Sequence, residues 1–225
     1  MAPSLAPRDP VEYRRLQAAY QQSLRYAEDV RRLYRQLQRS VSQSLLGLAS
    51  ALEARDACSR GHSERVAELS RRIAELIGLD PVDVEAVEEA GLLHDIGNIS
   101  VPEPTLRQPG ELTEVEWEAM RRHPIVGAQI IAPFEFLAGA VPLIRYHHER
   151  WDGSGYPDGL AGAAIPLGAR VVAVADVFDA LTSSRPYRPA LPAAAALAHL
   201  VDAAGRTLDP GVVAACVSVV RGEGR

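Results

Sequence analysis

Apolar residues recur at threes and fours from Val11 to about Leu52: Tyr13, Leu16, Tyr20, Ala27, Val30, Tyr34, Leu37, Val41 and Leu48, with Leu24, Leu45 and Leu52 beside the stripe. Arg14, Arg15, Arg31, Arg32, Arg35 and Arg39 stand between them. This spacing predicts one long amphipathic helix. It suits a coiled-coil seam that makes a homodimer, and equally a helix folded back on its own domain; Ser23 and Ser44 weaken the seam. The ten residues before it are proline-rich and are expected to be disordered.

Beyond residue 49 the pattern stays helical. Gly61-His62-Ser63 interrupts one run and puts His62 near a helix turn. Asp80-Pro81 reads as an N-cap followed by a first-turn proline, opening a helix through Leu92-Leu93 that ends at His94-Asp95, before Gly97. Ile99 to Gly110, with three prolines, reads as a loop. Thr113 and Glu116 predict a capping box for a helix that delivers His123 at its end. Ile125 to Tyr146 reads as one or two helices broken at Pro133 and Pro142 and ending at His147-His148. The β-branched run GARVVAVADVFDALT fits a buried strand or a helix by periodicity; its helical surroundings favour the helix. Two more helices, from about Pro192 and from Pro210, close an all-α chain.

Composition narrows the function. At 225 residues, with 47% hydrophobic and 24% charged residues, the chain can bury one substantial core. No apolar run reaches the ~18 residues that span a bilayer, and the N-terminus has no apolar signal region, so no membrane partner is expected. Two cysteines, Cys58 and Cys216, fit a reducing cytoplasm. A net charge of −5 with no basic tract speaks against nucleic acid. Every basic residue is arginine, as a coding bias would produce.

The histidines carry the chemistry. Of six, five (His62, His94, His123, His147 and His148) fall between residues 62 and 148; His199, in an alanine-rich helix, has no acidic neighbour. Imidazoles and carboxylates gathered from separate helices can surround two divalent ions. Two such ions ~3.5–4 Å apart can clamp a phosphodiester for in-line attack. Asp95 lies beside His94, and Asp176 and Asp179 add acids at helical spacing.

The ordered set GHS (61–63), HDIG (94–97), RRHP (121–124), HHERWDGSGYP (147–157) and VADVFDALT (174–182) resembles the HD-GYP domain, a branch of the HD phosphohydrolase superfamily. The likeness runs from about Ala49 to the C-terminus. It implies an all-α, HD-domain helical bundle, here behind the long N-terminal amphipathic helix. It also implies a metal-dependent phosphodiesterase that hydrolyses cyclic di-GMP to linear pGpG and onward to GMP, with a metal-bridging hydroxide as nucleophile. The implied metal ligands are His62, His94, Asp95, His123, His147, His148 and Asp176, holding two divalent ions, iron or manganese. His62, His94 and Asp176 would serve one ion, His123, His147 and His148 the other, with Asp95 bridging. Arg185 and Arg188 match phosphate-binding positions, and Gly153, Gly155, Tyr156 and Pro157 would shape the pocket rim and a surface for GGDEF-type cyclases.

Two positions depart from that pattern. Asn98 stands where the family usually has a lysine that assists at the phosphate, so electrostatic help is reduced. Cys58 stands where three-metal members carry a glutamate, which favours two metals. The ~48 residues ahead of the core leave no room for a sensor domain of ~50 residues or more. The rival readings are an HD phosphohydrolase of another nucleotide, such as a different cyclic dinucleotide, and a weakly active module that docks GGDEF-type cyclases.

Overall fold

A computed structural model describes residues 10–53, 61–106, 110–184 and 189–223. Among them the regular structure is helical, with no strand beyond an isolated bridge between Ala204 and Leu208. The α-helices are α1 (Pro10–Glu53), α2 (His62–Leu76), α3 (Pro81–Leu93), α4 (Glu103–Leu106), α5 (Glu114–Arg121), α6 (His123–Ile131), α7 (Ala140–Tyr146), α8 (Leu167–Thr182), α9 (Ala193–Ala203) and α10 (Pro210–Arg221). Short 3-10 turns occupy Ile96–Ser100, Glu135–Leu137 and Gly162–Ala164.

The chain divides into two compact units, Met1–Ser44 and Leu45–Arg225. In the first, α1 leaves Leu16, Tyr20, Val30 and Leu37 all more than 60% exposed, so its stripe is not buried within this unit. The second unit is a helical bundle. There α2 packs on α3, α8 and α10, and α3 packs on α7 and α8. Gly91 of α3 lies against the Ala67 backbone of α2, and Gly168 of α8 against Leu143 and Val87; a methyl group at either would collide. These small residues let the helix axes approach.

The β-branched run is a helix, α8, and it is buried on nearly every side through Ala169, Val171, Val172, Val174 and Ala175. A helix apolar all round belongs in the core, which is why its periodicity does not distinguish it from a buried strand. Local chemistry sets several helix starts. Thr113 and Glu116 form the reciprocal capping box of α5. Asp209 accepts from the Gly211 and Val212 amides at the start of α10. Asp80 occupies the N-cap of α3, but its carboxylate makes no cap bond.

Three expectations fail for one physical reason. Residues 99–110 are not a plain loop, since the turn Ile96–Ser100 and helix α4 lie in or across that stretch. His123 opens α6 rather than ending α5, with Pro124 in the first turn. Pro142 sits in the first turn of α7 instead of breaking a helix. Proline lacks only an amide that the first turn leaves unbonded, so at these positions it starts a helix. Arg185, Arg188, Cys58 and residues 1–9 lie outside the described residues.

Candidate metal centre

The second unit brings His62, His94, Asp95, His123, His147, His148 and Asp176 to one place. Most come from helix ends. His62 is the first residue of α2, His94 follows the last residue of α3, and Asp95 follows His94. His123 is the first residue of α6, and His147 and His148 follow α7; Asp176 alone sits inside a helix, α8. Ring centroids form a continuous series: His62 to His94 5.2 Å, His94 to His147 5.1 Å, His147 to His123 5.3 Å and His147 to His148 4.0 Å. Gly97 makes part of this possible. A side chain there would collide with the His123 carbonyl and the Gly127 amide, so glycine lets the 96–100 turn press on α6.

Three imidazoles have a fixed tautomer. His94 Nδ1 lies 2.8 Å from the Gly91 carbonyl, His123 Nδ1 2.8 Å from that of Met120, and His147 Nδ1 2.7 Å from that of Ile144. A carbonyl oxygen only accepts, so each Nδ1 carries the hydrogen and each neutral ring presents a bare Nε2. His94 Nε2 is buried with no hydrogen-bond partner among the described residues. His123 Nε2 and His147 Nε2 face one another at 3.4 Å. With both hydrogens committed to Nδ1, that approach joins two lone pairs and is no hydrogen bond. A cation held by the two nitrogens would relieve it.

Two carboxylates complete the set. Asp95 Oδ1 is 3.4 Å from His123 Nε2, and its Oδ2 is 3.6 Å from His94 Nε2, so one carboxylate reaches both groups of rings. Asp176 Oδ1 is 3.4 Å from His62 Nε2. Three triads each offer ligand atoms within 4.8 Å of one another: His62, His94 and Asp176; His123, His147 and His148; and His94, Asp95 and His147. Asp95 keeps 33% of its side chain exposed while His94 keeps 1%, so the site opens at the Asp95 carboxylate.

Electrostatics follow from this packing. Burial, with the charges of neighbouring imidazoles, lowers the His123 and His147 pKa values and takes His148 down to about 3, which keeps these rings neutral. Burial also pulls His62 down, but its bonds to Asp176 and Asp179 outweigh that and push it up to about 10. Burial raises Asp176, yet its bond to His62 outweighs that and brings it to about 2. Asp95 is held below the usual carboxylate range, burial being outweighed by His94 and His123. Neutral imidazoles beside ionised carboxylates are the ligand forms a divalent cation takes.

Around these candidate ligands stands a layer that sequence spacing only partly exposes. Asp179 accepts from His62 Nδ1 at 2.7 Å and from Arg65 at 2.6 and 3.0 Å, a carboxylate–imidazole pair of the kind that orients metal ligands. Its position three residues after Asp176 marks it as an acidic candidate, but not its partners. Glu149, whose place in the motif does not by itself reveal a role, is buried and accepts from the Asp158 and Leu160 amides at 2.7 and 3.0 Å, folding the 153–160 loop back. The Tyr156 ring lies 4.9 Å from His148. Gly155 packs against the backbone of residues 148–150 too closely for any side chain, and Gly153 has φ 80°. Asn98 sits in the 96–100 turn with its Oδ1 buried and unpartnered among the described residues. His199 is exposed on α9, away from this chemistry.

The HD domain family's sequence model matches residues 47–212, most of the chain. This protein belongs to the HD domain family. Among its relatives is the cyclic di-GMP phosphodiesterase response regulator RpfG of Xanthomonas campestris pv. campestris, 47% identical over 174 residues, which cover 76% of this chain and 46% of that protein. Another is the 3'3'-cGAMP-specific phosphodiesterase 2 of Vibrio cholerae, 36% identical over 78% of this chain and 34% of the relative. The crystal structure of a cyclic GMP-AMP specific phosphodiesterase of Vibrio cholerae, V-cGAP3, aligns with a TM-score of 0.63 at 20% identity, over 80% of this chain and 48% of that one, which shows the shared HD fold. The chain thus spans less than half the length of each of these proteins. Its histidine and aspartate clusters are consistent with a metal site of HD domains. Among the described residues no helix is long and apolar enough to cross a membrane.

Proposed function

We propose that this chain is a metal-dependent phosphodiesterase of cyclic dinucleotides and that cyclic di-GMP is its substrate. The observation that carries this reading is the convergence of bare Nε2 atoms on Asp95, in a chain whose relatives include a cyclic di-GMP phosphodiesterase. His62, His94 and Asp176 would hold one divalent cation and His123, His147 and His148 a second, with Asp95 as the carboxylate that would serve both. Nitrogen and oxygen donors without a thiolate suit iron or manganese. When bound, the pair supplies an activated water and a clamp on the phosphodiester oxygens.

The protein's own groups do the rest. Asp95, at the open side, faces the arriving phosphodiester. Asn98 offers a neutral amide where a lysine would bring charge. Tyr156, lying beside His148, and the glycines at 153 and 155 shape the rim that meets the nucleotide. Arg185 and Arg188, outside the described residues, hold phosphate through guanidinium forks. The product is linear pGpG, with GMP after a second cleavage. Residues 49–225 form the catalytic part, and the protein acts in the cytoplasm on a soluble messenger. The exposed α1 stripe pairs two chains as a homodimer, and the 153–157 loop docks GGDEF-type cyclases.

The test is hydrolysis of cyclic di-GMP by anaerobically purified protein, with metal content measured on the same sample. Turnover that disappears in His94→Ala and Asp95→Ala supports the reading. A protein that holds two metals and leaves cyclic di-GMP intact refutes the substrate. The relative specific for 3'3'-cGAMP makes that dinucleotide the second reading, run in the same assay.

A further inference from the structure

The structure points to Glu53, the last residue of α1, as a positioning residue for His62 that ties the end of the N-terminal helix to the metal centre. The inference rests on the reading of His62 as a metal ligand.

Helix α2 begins at His62 behind Gly61, which has no side chain to cap it and sits in the left-handed region at φ 69°. The first amides of a helix need acceptors, and its N-terminus favours negative charge. Glu53 supplies both from eight residues upstream. Its Oε2 accepts from the Gly61 amide at 2.9 Å and its Oε1 from the Ser63 amide at 2.8 Å. The residue between those two amides is His62 itself. One carboxylate therefore grips the backbone on either side of the candidate ligand.

The ring of His62 is gripped separately. Asp179 holds Nδ1 at 2.7 Å and is itself held by Arg65, one turn further along α2. The Glu53 charge also acts on Arg65. With backbone and ring both fixed, Nε2 is aimed at the position it shares with His94 and Asp176. Glu53 belongs to the same compact unit as the centre, and the preceding turns of its helix are anchored there by the buried Leu45 and Ala49. A shift of this last turn moves Glu53, and with it the two amides that flank His62. A cap that served stability alone would have no effect on the ligand; this one encloses it.

Mn2+ titration of the metal-free full-length chain tests the inference, with wild type, Glu53→Ala, Glu53→Gln and His62→Ala compared and the melting temperature of each metal-free form recorded. His62→Ala should lose one of two binding events. Glu53→Ala should weaken that same event about tenfold or more, the usual effect of removing a group that orients a ligand, and leave the other event unchanged. Glu53→Gln, whose amide oxygen still accepts one bond, should fall between and serves where Glu53→Ala does not fold. Wild-type affinity for both events in the Glu53 variants, whatever happens to their melting temperatures, overturns the inference and leaves a plain helix cap. If His62→Ala itself keeps both events, the ligand assignment fails before Glu53 is in question.

Discussion

Metal binding at this centre should release one proton per chain near pH 7, and the proton should come from His62. Burial disfavours the charged ring, but Asp176 and Asp179 bond to its two nitrogens and push it up to about 10. A cation must take the Nε2 lone pair and so expel the proton. At pH 7, about three pH units below that value, freeing the lone pair takes roughly 4 kcal/mol. Affinity at the His62, His94 and Asp176 position should therefore rise about tenfold per pH unit between pH 6 and 9. The other groups add little: His148, at about 3, is already neutral, His123 and His147 are lowered, and Asp176, at about 2, is already ionised.

Calorimetric Mn2+ titrations in two buffers of different ionisation enthalpy count the released protons directly. A value near one at pH 7, falling away above pH 10, supports the account. A value near zero, or an affinity that does not change with pH, refutes it, because His62 would then be neutral before metal arrives. The same raised value stabilises the metal-free fold. That contribution is fully present below the unfolded-state value of about 6.5 and is lost as pH rises through about 10. Metal-free protein should therefore melt lower at pH 10 than at pH 6.5, with bound metal narrowing the gap.

Three further outcomes test the surrounding structure. Burial, then the charges of Glu85 and Glu88, push the Glu89 carboxyl up to about 7, so its ionisation removes stability as pH rises through that value; Glu89→Gln should raise the melting temperature by roughly 2–4 °C at pH 8.5 and little at pH 5, about 1 kcal/mol after allowing for solvent screening. Glu149→Ala strips the acceptor from the Asp158 and Leu160 amides and should lower stability in urea by roughly 1–2 kcal/mol, since two part-buried bonds to a charged acceptor are lost while water can reach the freed donors. Asn98→Ala should lower turnover of cyclic di-GMP by about tenfold while leaving the melting temperature equal or higher, because it removes a buried oxygen that has no partner among the described residues; equal turnover would separate Asn98 from the chemistry.

How much of this was legible in the sequence depends on what each signal measures. Apolar spacing located α1, α2 and α3, because apolar residues recur with the helical period whether their face is buried, as on α2 and α3, or exposed, as over most of α1. It could not decide α8, whose surroundings are apolar on nearly every side. Proline at 104, 124 and 142 lies in the first turn of a helix, so as a signal it marks a start where it equally suits a break, and His123 opens α6 instead of closing α5. The ring partners were out of reach for another reason. His62 and Asp179 are 117 residues apart, and no local pattern joins them. Glu53 and Gly61 are only eight apart, yet no helical or strand period joins them, so spacing alone does not reveal their bond.

The motif residues themselves obey a rule that the structure makes physical. A helix leaves its last carbonyls without intrahelical partners. His94 and His147, each just past a helix end, donate Nδ1–H to the carbonyl three residues back, and His123 does the same to Met120 at the end of α5. Each such bond engages a carbonyl at a helix end and fixes the tautomer together. It also turns Nε2 away from the helix that supplied the ring. Three helix ends directed at one point therefore present three bare nitrogens to it. A histidine placed mid-helix would find its carbonyls already bonded along the helix and would have no such anchor. The short stretches HDIG, RRHP and HHE are thus informative beyond the residue types they contain, because each places its histidine where a helix stops or starts.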